Sequence, residues 1–265
     1  MTPVLELDRV SAGFGWGPRR KAVLHEVSLT LEAGRTLGLV GESGSGKSTL
    51  AKAVVGLVRP ASGRILVDGE DLAAAGRDRI AALRRRIQLI PQDPYASLNP
   101  RMTVGDALAE AIDPRRGRAR DHREAIAGLL ARVAMDADAA DRYPHAFSGG
   151  QRQRVAIARA LAVRPEVIVA DEVTSALDCS VQAEVLGVLG ELRRETRLTM
   201  LFISHDLAVV RHVSDEVAVM SGGRIVEYGE RDAVFSAPAH AYTRLLLENV
   251  PDGRPLHTTA AQPNG

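Results

Sequence analysis

Residues 41–49 read Gly-Glu-Ser-Gly-Ser-Gly-Lys-Ser-Thr, and no other stretch constrains the fold as tightly. The run contains Gly-x-x-x-x-Gly-Lys-Ser, the pattern of a phosphate-binding loop. Such a loop works only when a strand delivers it and a helix leaves it. Both signals are present. Leu37, Gly38, Leu39 and Val40 form a short apolar run of buried-strand type, and residues 50–58 are apolar at helical spacing up to Arg59 and Pro60. Gly41, Gly44 and Gly46 let backbone N–H groups turn toward an anion, and the helix starting near Lys47 adds its positive dipole end. Lys47 is placed to reach β- and γ-phosphates and Ser48 to ligate Mg²⁺, with Glu42, Ser43, Ser45 and Thr49 completing the cradle. The expectation is a nucleotide site in an α/β fold.

Composition narrows the classes. The chain has 265 residues, 25% of them charged, and a net charge of +1, so no basic excess points to nucleic acid and none is expected as a partner. Aromatic residues make up only 3%, which leaves a core of Leu, Val, Ile and Ala. No apolar run approaches the roughly 18 residues that a membrane-spanning helix needs. Residues 1–8 lack the basic-then-apolar pattern of a secretory leader, so none is expected. A single cysteine, Cys179, excludes an intrachain disulfide and a cysteine-built metal site. A cytoplasmic location is expected, with any membrane role reached through a partner.

Along the chain, residues 4–10 and 27–31 read as neighbouring strands. Residues 11–21 between them read as a Gly-rich, basic loop carrying Phe14 and Trp16. Either ring offers a flat apolar face to a base, Phe14 being preferred, or else anchors the loop to the core. Past the glycine loop, Ile65, Leu66 and Val67 form a strand and Asp68-Gly69 a hairpin turn. Arg84, Arg85 and Arg86 read as a solvated helix end rather than a ligand patch. Residues 87–90 form another short strand, after which Pro91 and Pro94 break regular structure around Gln92. A Gln at such a strand end is placed to meet Mg²⁺ or an attacking water. Residues 95–143 change texture, with helical periodicity at 104–112 and 125–133 on either side of a basic stretch. This predicts an inserted helical subdomain, with Arg115, Arg116, Arg118 and Arg120 in a solvated loop.

Phe147-Ser148-Gly149-Gly150-Gln151 opens a helix running to about residue 162. Ser148 is its natural N-cap. Gly149 and Gly150 permit close approach of another backbone, and with the helix N-terminus and Gln151 they form a second anion-binding surface. The strand at 167–170 ends in Asp171-Glu172, at the edge where an open α/β sheet puts its ligand. There Asp171 suits the Mg²⁺ shell, and Glu172 suits orienting and deprotonating water. Ser175-Ala176-Leu177-Asp178 turns into a helix at 181–192, and the strand at 200–203 ends at Ser204-His205-Asp206. His205 at that edge is placed for a γ-phosphate contact. Strands at 217–220 and 225–228, joined by Ser221-Gly222-Gly223-Arg224, close the sheet, and strands at both ends of the chain add an antiparallel layer. The tail from residue 251 reads as mobile.

Together these motifs resemble the ATP-binding subunits of ABC transporters, over about residues 4–250. Residues 41–48 match Walker A, Gln92 the Q-loop, residues 148–151 the signature and residues 167–171 Walker B. Glu172 matches the catalytic glutamate, residues 175–178 the D-loop and His205 the switch histidine. Phe14 falls where the family's adenine-stacking aromatic sits. The resemblance implies a RecA-like P-loop NTPase core, a mainly parallel sheet with an antiparallel layer and an inserted α-helical subdomain. The expected division is an ATPase domain at 1–250 (core about 1–92 and 160–235, helical subdomain about 93–158) and a C-terminal extension at 236–265. ATP and Mg²⁺ are the implied ligands, with catalysis through Glu172, His205 and Gln92. A second ATPase subunit is implied, head to tail, so that residues 148–151 and Asp178 of each chain face the nucleotide held by the other.

Narrower runs at residues 92–100, 143–148 and 240–246 look like the peptide and nickel importer branch. That branch implies two transmembrane permease subunits, an extracytoplasmic solute-binding protein acting indirectly, and a peripheral place on the cytoplasmic face of the cell membrane. Di- or oligopeptides are the expected cargo; nickel, a metal chelate or another small solute, and a soluble ABC ATPase outside transport, are the alternatives. Val173 replaces the family's usual proline, Phe147 its leucine and Ala241 the branch's proline. None of these removes a reacting group.

Overall fold

The computed structural model describes residues 3–15 and 21–248. Its first half runs β1 (Leu5–Phe14), β2 (Lys21–Leu31), β3 (Thr36–Val40), α1 (Lys47–Val54), β4 (Ser62–Val67), β5 (Glu70–Asp71), α2 (Arg77–Arg86) and β6 (Ile87–Ile90). The chain then turns helical, with α3 (Val104–Ile112), α4 (Arg123–Arg132) and α5 (Gly149–Ala162) separated by short 3-10 turns. It closes with β7 (Val167–Asp171), α6 (Cys179–Thr196), β8 (Thr199–Ile203), α7 (Leu207–Val213), β9 (Glu216–Ser221), β10 (Arg224–Glu230), α8 (Arg231–Ser236) and α9 (Ala241–Glu248). No helix among the described residues is long and apolar enough to cross a membrane.

The strands form two sheets, a six-stranded one in the order β10-β9-β3-β8-β7-β6 and a four-stranded antiparallel one in the order β2-β1-β4-β5. In the larger sheet β9, β3, β8, β7 and β6 are parallel, and only β10 runs antiparallel at the edge. Alternate residues serve opposite faces, as the two-residue period of a strand requires. On β8, Met200 and Phe202 join a core with Leu108, Leu130, Ile157 and Leu189 of the helices. Leu201 and Ile203 join the other core, with Leu50 and Val54 of α1 and Leu5, Leu24 and Ile65 of the smaller sheet. Each such fully buried aliphatic contributes about 1.5–3 kcal/mol, so both layers are held by side chains of modest size.

Local chemistry accounts for the element ends. Thr103 caps α3 by accepting from the Asp106 N–H at 3.1 Å, and Asp206 caps α7 by accepting from Ala208 and Val209. The Asp68-Gly69 turn has φ of 49° and 77°, and Gly222-Gly223 has 52° and 79°, the two positive values that a tight hairpin needs.

Three expectations change. The C-terminal strands do not belong to the antiparallel layer: β9 lies parallel beside β3, pairing Val217 with Gly38, because a strand buried on both faces takes partners on both edges. Residues 11–14 continue β1 rather than opening a loop, with Phe14 paired to Lys21. The arginine run closes α2 with Arg84 and Arg85 exposed, as expected, but two of its members are also engaged. Arg84 donates to the Gly56 carbonyl at 2.7 Å, and Arg86 bridges Asp68 and Glu166.

Candidate active site

Register places four strand ends side by side. Leu39 and Asp171 both pair with Ile203, and Ala170 pairs with Ile90. From these carboxyl ends of β3, β7, β8 and β6 the chain runs into the glycine loop, Glu172, His205 and Gln92 respectively.

The loop is shaped around an open space. Gly44 holds φ of 81°, and a Cβ added there would meet no atom within 4 Å. Ser45 Oγ is buried without a hydrogen-bond partner. Lys47 is buried, its Nζ donating to the carbonyls of Gly41 at 2.7 Å and Glu42 at 2.9 Å. Burial pushes the Lys47 ammonium down, while Glu172 and Asp171 pull it the other way. Ser48 Oγ donates to Asp171 Oδ1 at 3.2 Å. Burial pushes the Asp171 carboxyl up, with the Ser48 bond opposing and the Glu172 charge adding.

A buried carboxylate beside a hydroxyl is a donor pair suited to a hard divalent cation. Among the described residues no group of three His, Cys, Asp or Glu side chains could hold a metal ion. A cation at Ser48 and Asp171 therefore needs phosphate oxygens to complete its shell. An open anion cradle, an orphaned hydroxyl, a buried ammonium and this donor pair together fit a nucleoside triphosphate with Mg²⁺.

Glu172 carries backbone strain. Its φ of 49° is left-handed, which costs a non-glycine residue on the order of 1–2 kcal/mol. The conformation is held by its N–H donating to the Ile203 carbonyl at 2.9 Å and by its own carbonyl accepting from the Ser175 N–H at 3.1 Å and the Ser175 hydroxyl at 2.9 Å. The result aims the carboxylate into a network. Gln92 Nε2 donates to Glu172 Oε2 at 3.3 Å and to Ser175 Oγ at 3.1 Å, and His205 Nδ1 lies 3.3 Å from the same Glu172 oxygen. Gln92 and His205 are exposed, so a water or a phosphate can reach both.

Residues 148–151 stand apart. Ser148 and Gln151 form a reciprocal capping box at the start of α5, with bonds of 3.3 and 3.0 Å. The close neighbour of the glycine pair is a side chain and not another backbone: a Cβ on Gly150 would lie 2.1 Å from Val181 Cγ1 of α6. Asp178 caps α6, accepting from the Val181 N–H at 3.0 Å and the Ser180 hydroxyl at 2.8 Å. Among the described residues no hydrogen bond joins residues 148–151 or Asp178 to the glycine loop. Phe14 is half exposed at the end of β1 and stacks on no ring of the described residues; Trp16 lies outside them.

Two contacts have no counterpart in the sequence-based expectations. Ser175 bridges Gln92 to Glu172, and its position three residues after Glu172 is the usual spacing of a Ser side chain bonding back to a turn. Tyr242 Oη accepts from the Glu42 N–H at 3.0 Å across 200 residues, a separation that no local pattern can signal.

Over residues 24–175 the sequence matches the family model described as ABC transporter. The chain belongs to the ABC transporter family. Residues 226–265 also match the model described as oligopeptide/dipeptide transporter, C-terminal region. One ABC relative, the "probable peptide ABC transporter ATP-binding protein y4tS" of Sinorhizobium fredii, is 51% identical over 229 residues, which cover 86% of this chain and 65% of the relative. Another, the "di/tripeptide transport ATP-binding protein DppF" of Pseudomonas aeruginosa, is 47% identical over 243 residues, covering 91% of this chain and 75% of the relative. The chain thus spans just under two thirds of the length of the first. The solved structure of the ATP-binding cassette MJ0796, a post-hydrolysis dimer bound to ADP and Pi, superposes with a TM-score of 0.76 at 28% identity, covering 86% of this chain and 98% of that one.

Proposed function

We propose that this ABC chain is the ATP-hydrolysing subunit of an importer for di- or oligopeptides. The observation that carries the ATPase assignment is the single network joining Gln92 and His205 to one oxygen of Glu172, beside the glycine loop. ATP sits with its β- and γ-phosphates in that loop, among Glu42, Ser43, Ser45 and Thr49, and its base against Phe14. Lys47 keeps its two loop carbonyls and turns its third N–H to a phosphate oxygen, a charge-assisted pairing. Mg²⁺, held by Ser48, Asp171 and the Gln92 amide oxygen, would supply neutralisation of phosphate charge. Glu172 orients the attacking water and accepts its proton, and His205 steadies the γ-phosphate.

The rest of the site comes from a second ABC subunit arranged head to tail. Residues 148–151 and Asp178 make no bond to their own loop, and the α5 N-terminus offers N–H donors to a γ-phosphate held by the partner. Closing the pair excludes water and aligns the reactants; releasing phosphate favours opening. In this assignment residues 1–250 form the ATPase unit, with the helical part at about 93–158 gripping one of two permease subunits at the cytoplasmic face of the membrane, and residues 236–265 form the extension. A solute-binding protein outside delivers the cargo.

Peptide as the cargo is supported by the names of both relatives and by the C-terminal match. The test is ATP turnover by the assembled complex in liposomes. Di- and tripeptides, with the solute-binding protein, are expected to raise turnover several-fold. Stimulation by a nickel chelate but not by peptide would reassign the cargo, and no hydrolysis under any condition would sink the ATPase assignment.

A further inference from the structure

The peptide unit between Gly41 and Glu42 is bonded at both ends. Its carbonyl, on Gly41, accepts from Lys47 Nζ at 2.7 Å, and its N–H, on Glu42, donates to Tyr242 Oη at 3.0 Å. A peptide is a rigid plane with its C=O and N–H pointing in opposite directions. Orienting one end therefore orients the other. Gly41 has no Cβ to fix the plane, and a Cβ there would meet the Met220 carbonyl oxygen at 2.1 Å, so the bonds at the two ends of the peptide orient it.

Tyr242 is itself fixed. The segment leading into α9 is clamped to β10 by Glu227, whose two carboxylate oxygens accept from the Ala239 N–H at 2.7 Å and the His240 N–H at 3.0 Å. Arg244 donates to the carbonyls of Pro238 and Ala239, both at 2.9 Å. The Tyr242 ring packs against the helical-side core together with Leu246 and Leu247. A hydroxyl held this way is a fixed acceptor, presented to the loop by the far end of the chain.

We propose that Tyr242 is a positioning residue of the phosphate loop: its hydroxyl sets the Gly41–Glu42 peptide, and through it Lys47, for the nucleotide. The proposal rests on the nucleotide-binding assignment above. It makes nucleotide affinity depend on how the C-terminal extension is seated.

The test is titration of the full-length chain with a fluorescent ATP analogue. Tyr242→Phe keeps the ring and removes the acceptor, and affinity is expected to fall about 2- to 10-fold, the range for one hydrogen bond. Glu42→Pro removes the donor while keeping the loop carbonyls. In that background Tyr242→Phe is expected to have no further effect, an interaction that a merely structural tyrosine would not show. Wild-type affinity in Tyr242→Phe overturns the proposal, as does an equal loss in both backgrounds. If Glu42→Pro does not fold, the Tyr242→Phe titration decides alone. Failure of the wild-type chain to bind the analogue overturns the nucleotide assignment as well, which separates the two failures.

Discussion

Two helix N-termini in this molecule are built from the same small residues and left in opposite states. At α1 the N-cap is Gly46, with φ of 112° and no side-chain cap, Ser45 Oγ is orphaned, and a buried ammonium rests on loop carbonyls. At α5 the N-cap is Ser148, and both arms of a capping box are made. The first end is under-satisfied within its own chain, which is the condition for a ligand to gain by binding there. The second has both arms of its box made within the chain and lacks that deficit. Similar composition thus gives two different ends, one left open within its own chain and one closed on itself.

Substitutions separate the two. The largest effect is expected at Glu172→Gln, which keeps the shape of the Gln92 and His205 network but removes the base. ATP turnover in the assembled complex should fall by about 10²- to 10⁴-fold with nucleotide binding retained. Turnover within a few-fold of wild type would mean that the chemistry lies elsewhere than this strand edge.

Next come two glycine substitutions, one for each helix end. Gly150→Ala drives a methyl into Val181 and should cost about 1–3 kcal/mol of stability while leaving nucleotide binding by the isolated chain intact. Gly44→Ala meets no protein atom, so its stability cost is only the left-handed backbone, about 1–2 kcal/mol, but its methyl enters the phosphate space and nucleotide binding should be lost. Denaturant unfolding and nucleotide titration of both variants check the contrast, which would collapse if the two behaved alike.

The smallest effect sharpens the claim that the phosphate-loop end gives up stability. Because burial raises the folded-state pKa of Asp171 above its unfolded value, protonation favours folding. That contribution is fully present below the ordinary carboxylate range and is lost as pH rises through the folded value. Asp171→Asn should therefore raise the melting temperature of the nucleotide-free protein at neutral pH, on the order of a few degrees for a chain of this size. The gain should shrink toward zero below about pH 4. A lower melting temperature at neutral pH would show that the fold alone satisfies this carboxylate.

Legibility in the sequence followed the range of the interaction. The strand, loop and helix around Lys47, the Asp68-Gly69 turn and the cap at Ser148 are each decided within a few residues, and each is readable. The structure adds the second arm of that cap, from Gln151 three residues after Ser148. The engagement of Arg86 with Asp68 and Glu166 was not readable, because Glu166 lies 80 residues away, just before β7. Nor was the length of β1, whose last pairs depend on a partner strand beyond residues 16–20.

The sequence by itself determined which groups exist for chemistry and in what local geometry each is offered. Period-2 and period-3.6 patterns, turn residues and caps act over one or two turns of chain, so Lys47 could be placed at a helix start, and Asp171, Glu172 and His205 at strand ends, without knowing their neighbours. Only the tertiary structure decided which ends lie side by side, that β9 joins β3 rather than the antiparallel layer, and that Tyr242 meets Glu42. Those are pairings between surfaces that many partners of similar polarity would fit, and the choice among them is made by the packing of the whole chain.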